Sequence, residues 1–260
     1  MNNSPLKWIF TLAGALLLLF ILLPLAAAFF STTPEALANA VGDPELRQSL
    51  VLTFSASAIA TGLTLIGGLP LAYLLARTRF RGKRIVESLV DLPVVIPHTA
   101  AGIALLLVFG SQGVIGKTLA PLGIDFIDSL WGIVAAMAFV SLPYLVSLSR
   151  EAFAGVDPAL EQASLVDGAS SWQTFTRVTL PIAWRGVVSG ILMMWARGIS
   201  EFGSVVILAY HPKIVPVLLF ERFQGFGLNA AQPVAVLMVA VVLVIFILLR
   251  TVLITGREDN

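Results

Sequence analysis

Long apolar runs, interrupted by short polar stretches, make up most of the chain. A helix crossing a hydrocarbon core of roughly 30 Å needs about 20 mostly apolar residues, because each residue rises about 1.5 Å. Six segments meet that requirement, approximately 8–30, 48–76, 92–110, 129–149, 186–209 and 233–254, and the first four contain no Asp, Glu, Lys or Arg. The pattern predicts an all-α polytopic membrane protein with six transmembrane helices in one domain over residues 1–260. The second segment is long enough to tilt or to project into water. The first ends in Ala26-Ala27-Ala28, small residues of the kind found at a signal-peptide cleavage site. Its apolar run exceeds the roughly 7–15 residues of a signal core, so it is expected to be a retained helix.

Composition agrees, with 58% hydrophobic and 12% charged residues and a mean hydropathy of +0.94. The net charge of +1 gives no reason to expect a nucleic-acid partner. With no cysteine, a disulfide framework, a thiolate metal site and a cysteine nucleophile are excluded. The distribution of the charges says more than their sum. With the N-terminus placed inside, eleven basic residues fall on the cytoplasmic side: Lys7, the cluster Arg77, Arg79, Arg81, Lys83 and Arg84, then Arg150, Arg177, Arg185, Arg250 and Arg257. Arg47, Lys117, Lys213 and Arg222 fall outside, and Arg197 lies within a span. Positive charge is retained on the cytoplasmic side, so both termini are expected there. The cluster over 77–84 serves this topological signal and also suits a partner or anionic lipid.

The longest connection, residues 150–185, has the pattern of two short helices and a turn on the cytoplasmic side. Asp157 followed by Pro158 has the form of an N-cap with proline at the first helical position, and Ala159, Leu160, Ala163 and Val166 give one apolar face. Gly168 is placed to close that helix. Ser170 with Gln173 makes a capping box for a second helix, carrying Trp172, Phe175 and Val178, which Pro181 is expected to stop.

Glu161-Gln162-Ala163, then Asp167-Gly168 and Leu180-Pro181, resembles the EAA loop of ABC importer permeases, with Gln162 where the motif's first alanine usually stands. The resemblance implies the type I importer permease fold, with the loop acting as a coupling helix seated in a groove of a cytoplasmic ATPase subunit. Asp91-Leu92-Pro93-Val94-Val95-Ile96-Pro97-His98-Thr99-Ala100-Ala101-Gly102 is similar to the start of the third span in molybdate, tungstate and sulfate permeases. Ala196-Arg197-Gly198-Ile199-Ser200-Glu201-Phe202-Gly203 resembles their fifth span, and Ala209-Tyr210-His211-Pro212 with Phe220-Glu221-Arg222-Phe223 looks most like the archaeal-type tungstate/molybdate branch. Implied partners are a second copy of the chain, an ABC ATPase dimer that uses the ATP and magnesium, an extracytoplasmic oxyanion-binding protein and the bilayer of a prokaryotic cell membrane. No cofactor is implied in this chain. A sulfate or thiosulfate permease is the alternative within the family, and an ion-gradient-driven transporter is the alternative outside it.

Several residues suit a translocation path. Thr53, Ser57, Thr61 and Thr64 place four hydroxyls on one helical face, either lining a path for a hydrated anion or bonding to neighbouring helices. Arg197 and Glu201 are four apart near mid-membrane. Each charge exposed to lipid would cost about 2.5–3.5 kcal/mol, so both should face the interior, paired with each other or with a neighbouring subunit, or with Arg197 meeting an anionic solute. Pro93 and Pro97 break the start of the third span, with His98 at the break as a hydrogen-bonded helix end or a ligand. Gly186 and Gly190 form a G-x-x-x-G pair for close packing within the subunit or for dimerisation. Gly116-Lys117-Thr118 has only the tail of a phosphate-binding loop, since Ser111 stands where its first glycine belongs. Neither a catalytic residue nor a metal ligand is expected.

Overall fold

The computed structural model describes residues 5–254. Arg257 and the side chain of Arg250, both counted above as cytoplasmic, lie outside what is described, as do both chain ends. The described chain is built from helices: α1 Pro5–Phe30, α2 Pro34–Gly42, α3 Pro44–Arg77, α4 Lys83–Val95, α5 His98–Phe109, α6 Val114–Leu119, α7 Leu130–Ala154, α8 Pro158–Val166, α9 Ser171–Thr174, α10 Leu180–Ile199, α11 Val205–Leu208, α12 Val215–Phe226 and α13 Leu228–Ile254. Five are long and apolar enough to cross a membrane, and six if α4 and α5 together count as one.

At the centre lie α3, α7 and α10. Ala56 and Ala60 of α3 pack with Ile133 and Met137 of α7 in one cluster, while Ala72 and Leu75 pack with Val146, Phe153, Ala183 and Val187 in another. Thus α3 and α7 run in the same direction and α10 returns between them. Glycine permits the close approach. A Cβ on Gly186 would lie 2.4 Å from the Cβ of Ala152, and one on Gly190 would lie 3.2 Å from the Leu145 carbonyl oxygen. The G-x-x-x-G pair therefore packs against α7 of the same chain. A third cluster, with Ala40, Leu46, Val215, Leu218 and Val234, joins α2, α12 and the start of α13 to α3. Helix α1 stands apart, its apolar side chains almost all exposed. Its end is held where Gln232 donates to the Ala28 carbonyl and to Thr32.

Proline placement explains two departures from the sequence reading. The span expected over 92–110 is not one straight helix, because α4 and α5 meet at a bend of 113°. Ile96 and Pro97 are both extended, with ψ of 145° and 131°, as expected for a residue preceding proline and a proline with no N–H to donate. Conversely, Pro181 does not stop a helix. Residues Phe175–Thr179 form a single wide π turn, the Leu180 N–H bonds back to the Phe175 carbonyl, and the chain continues as one rod from Ser171 to Ile199. The wide turn spares the carbonyl that a proline ring would otherwise meet. The fifth span consequently begins earlier than 186 and its helix ends at Ile199, with residues 200–209 turning away into α11.

Replacing Gly186 with Ala forces α10 and α7 apart and should lower stability by about 1–3 kcal/mol, the usual cost of overpacking. Gly67→Ala, where a Cβ meets nothing within 4 Å, is the neutral control. Thermal unfolding of both variants in one detergent checks this, and equal midpoints would remove the close-packing role.

Candidate functional site

Where α4 bends into α5 and α10 ends, three charged or titratable groups meet. Glu201 is 1% exposed, and every lobe of its carboxylate has a donor. Oε1 accepts from the Ser204 N–H and hydroxyl, each at 2.8 Å. Oε2 accepts from Arg197 Nη2 at 3.0 Å and lies 3.1 Å from His98 Nδ1. Arg197 Nη2 is also 3.0 Å from His98 Nε2, and its Nη1 donates to the Ser200 hydroxyl at 3.3 Å. The same Nη2 lies 2.9 Å from His98 Nδ1, so the ring edge faces the guanidinium with Nδ1 shared between it and Glu201.

Small residues bring the segments close enough for this. A Cβ on Gly203 would lie 2.7 Å from His98 Cβ, and one on Gly102 would lie 2.8 Å from Ile207 Cβ. The Pro97 break therefore starts α5 at His98, against the turn after Ile199. Arg197 and His98 keep 18% and 36% of their side chains exposed. The cluster is a compensated charge with one accessible edge.

The hydroxyl stripe of α3 lies beside it in the packing seam. Thr53 donates to the Ser49 carbonyl at 2.6 Å and accepts from the Val215 N–H at 2.9 Å. Ser57 donates to the Trp195 carbonyl at 2.7 Å, and Thr61 to the Ser57 carbonyl at 2.8 Å. All three are buried and Thr64 is half-buried. A Cβ on Gly198 would lie 2.4 Å from Ser57 Oγ, so this stripe seats the end of α10.

At the far end of α3 and α7 stands the hairpin. Asp157 caps α8 by accepting from the Ala159 N–H, Gly168 follows with φ +87°, and Ser170 and Gln173 complete both halves of the capping box. Gln162, Ala163, Asp167 and Gly168 are exposed, as are Leu160, Leu165, Val166 and Trp172. Leu180 packs into the core, whereas Pro181 is exposed. Glu161 turns inward instead. It accepts from Arg77 Nε at 3.1 Å and Nη2 at 3.0 Å, and from the Thr179 hydroxyl at 2.6 Å, while Arg77 also donates to the Val156 carbonyl at 2.9 Å. Arg77 and Glu161 are each 14% exposed. One carboxylate thus joins α8, the end of α3 and the π turn that opens the α10 rod. Sequence reasoning missed Arg77 and Thr179 as partners because neither lies within a helical turn of Glu161.

The opposite end carries an ionic clamp of Asp43, Glu45, Lys213, Glu221 and Arg222. Lys213 donates to Glu221 at 2.7 Å and to Glu45 at 3.0 Å, and Arg222 pairs with Asp43. The hydrogen bond to Glu221 is the main force raising the Lys213 ammonium above its ordinary range, and the reciprocal bond lowers the Glu221 carboxyl. Burial pushes the Asp43 carboxyl up, but the bonds from Arg222 and backbone amides outweigh it, so its net shift is downward.

Ionisable groups gathered inside an apolar helical bundle, away from lipid, mark a membrane protein that moves a solute. The fold places the chain in that class. More specifically, the chain belongs to the family of binding-protein-dependent transport system inner membrane components, whose pattern matches residues 68–255. It is 40% identical, over the full length of both chains, to the molybdate/tungstate transport system permease protein WtpB of Thermococcus kodakarensis. It is 31% identical to the sulfate transport system permease protein CysT of Synechocystis, across 99% of this chain and 92% of that one. Among solved structures, a bacterial ABC transporter involved in the import of the acidic polysaccharide alginate shares the fold with a TM-score of 0.70 at 18% identity, covering 97% of this chain and 96% of that one. The fold is that of type I ABC importer permeases, and the chain is a transport component.

Replacing Glu201 with Ala leaves Arg197 beside His98 with no counter-charge. The expected loss is about 3–5 kcal/mol, the cost of breaking a buried pair from one side. Removing Arg197 and Glu201 together should cost less than removing Glu201 alone. A double-mutant cycle on unfolding midpoints measures this, and strictly additive losses would dissolve the pair.

Proposed function

We propose that this chain is the path-forming subunit of an importer for a tetrahedral oxyanion, molybdate or tungstate. In this reading two copies line one path, each resting on a cytoplasmic ATP-hydrolysing subunit, and an extracytoplasmic binding protein delivers the anion. Both termini and the α8–α9 hairpin lie on the cytoplasmic side of the cell membrane. The observation that carries the ATPase assignment is the hairpin itself: an exposed apolar helix, α8, held by a largely buried carboxylate to two long helices. Glu161, Gln162, Ala163, Asp167, Gly168, Leu180 and Pro181 are assigned to coupling, most of them exposed for contact and Glu161 as the brace behind it.

The oxyanion is supported by the full-length likeness to the Thermococcus permease. A sulfate reading stands second, on the more distant likeness to the Synechocystis permease. Thr53, Ser57, Thr61, Thr64, Pro97, His98, Arg197 and Glu201 are assigned to the gate between the two packings that alternate access requires. With Glu201 compensating Arg197, an anion meets an almost neutral cluster and is not held tightly. Selectivity then rests mainly with the binding protein. Uptake of radiolabelled molybdate by cells carrying the complete system should be suppressed by excess tungstate and far less by sulfate. Suppression by sulfate alone would move the cargo to the second reading.

Coupling has its own test. Glu161→Lys should leave the protein inserted in the membrane while ATP hydrolysis no longer drives uptake, because the introduced ammonium would face the Arg77 guanidinium. Adding Arg77→Glu should restore part of the uptake by reversing both charges of the pair. Undiminished uptake in the single variant would show that the brace does not transmit motion.

A further inference from the structure

The elbow between α3 and α4 carries cations that the fold does not use. Arg79, Arg81 and Arg84 are exposed. Among the described residues none of the three has a carboxylate partner, whereas Arg77, Arg150, Arg197, Lys213 and Arg222 are all paired. Lys83 adds an ammonium that reaches only the Thr78 carbonyl, at 3.4 Å. Glu87, on the next turn of α4, is occupied by Arg150 at 2.8 Å. A cleft of about 600 Å³ opens here, lined by Arg79, Lys83 and Arg84 with apolar Phe80 and Ile85, and by Glu87, whose charge Arg150 compensates.

Helix α4 continues the cleft as an apolar ridge. Val86 and Val90 face the bundle core and Pro93 is buried. On the other side Ile85, Leu89 and Leu92, spaced four and three apart, are 66%, 60% and 45% exposed. A basic end followed by an uncovered apolar ridge suits a helix that starts at the membrane surface and runs inward along α7, where Glu87 meets Arg150 and Asp91 meets Ser147. Retaining a loop in the cytoplasm needs only positive charge near it. It needs neither a cleft between the cations nor apolar side chains running on from it.

We propose that this elbow binds an anionic phospholipid, its phosphate held in the cleft by Arg79 and Arg84, with exposed Arg81 adding positive charge nearby, and one acyl chain lying along Ile85, Leu89 and Leu92. A bare inorganic anion would satisfy the guanidiniums and leave the ridge uncovered, and the ridge is what selects a lipid.

The test is native mass spectrometry of the full chain with phosphatidylglycerol and phosphatidylcholine of matched acyl chains. Wild type should retain the phosphatidylglycerol preferentially, and excess inorganic phosphate should not displace it. Combining Arg79→Gln, Arg81→Gln and Arg84→Gln should lower that retention by at least about tenfold, given the attraction each basic residue adds at an anionic surface. Leu89→Asn should weaken it with the charges intact. Because removing the three charges also weakens the topological signal, the triple Arg→Lys variant serves as a correctly inserted comparison and should keep the preference. Equal retention of the two lipids by wild type, displacement by phosphate, or full retention in the glutamine variant would each overturn the assignment. So would a glutamine variant that loses a protein partner while its lipid binding is unchanged.

Discussion

A carboxylate that is 1% exposed inside an apolar bundle cannot stand alone, and much of this architecture follows from how Glu201 is satisfied. Its polar partners come from α10, the turn beyond it and the start of α5. To supply them, α10 must end at Ile199, α5 must begin at His98 and two glycines must let the segments touch. The 113° bend at Pro97 is therefore no defect in a span. It aims His98 at a buried acid, and irregular backbone at membrane depth is tolerated where protein rather than lipid surrounds it.

A second carboxylate plays a matching part at the other end of the same rod. Glu161 binds Arg77 and Thr179 where the π turn leads into α10. Residues Ser171 to Ile199 form one continuous 29-residue helix, roughly 43 Å long. One end is tied to the hairpin and α3, the other to α5. A displacement of either end would be carried along a stiff element to the other. Isolated surface pairs contribute little, typically below about 1 kcal/mol, but these pairs are sheltered. Breaking either leaves a charge in a poorly solvated place, which is what makes them couplings rather than decoration.

Much of the local structure was legible in the sequence. Asp157-Pro158, the Ser170 and Gln173 box and the stop at Gly168 all depend on contacts within a few residues, and all stand as the spacing implied. The pairing of Arg197 with Glu201 followed from helical spacing combined with the cost of a charge in lipid. What escaped was non-local or depended on the solvent. Pro181 reads as a stop because in water a missing hydrogen bond usually ends a helix, whereas here a wide turn absorbs it. His98 joining Glu201 across 103 positions has no sequence signature, and neither does Arg77 meeting Glu161 across 84.

The seams against which the rod lies also set how it can move. Along α10 the closest approaches to α7 and α3 are made at Gly186, Gly190 and Gly198, against Ala152, the Leu145 carbonyl and Ser57. Large interdigitating side chains would lock one register, because dense packing tolerates only discrete arrangements. Leu75, Val146 and Phe153 grip Val187 of the rod in that way, and Phe54 meets Trp195, so the rod has discrete positions. The Ser57 bond to the Trp195 carbonyl is an exchangeable polar contact at the same seam. A rod gripped at its two ends and packed in this way along its length can change register only by a small, discrete shear.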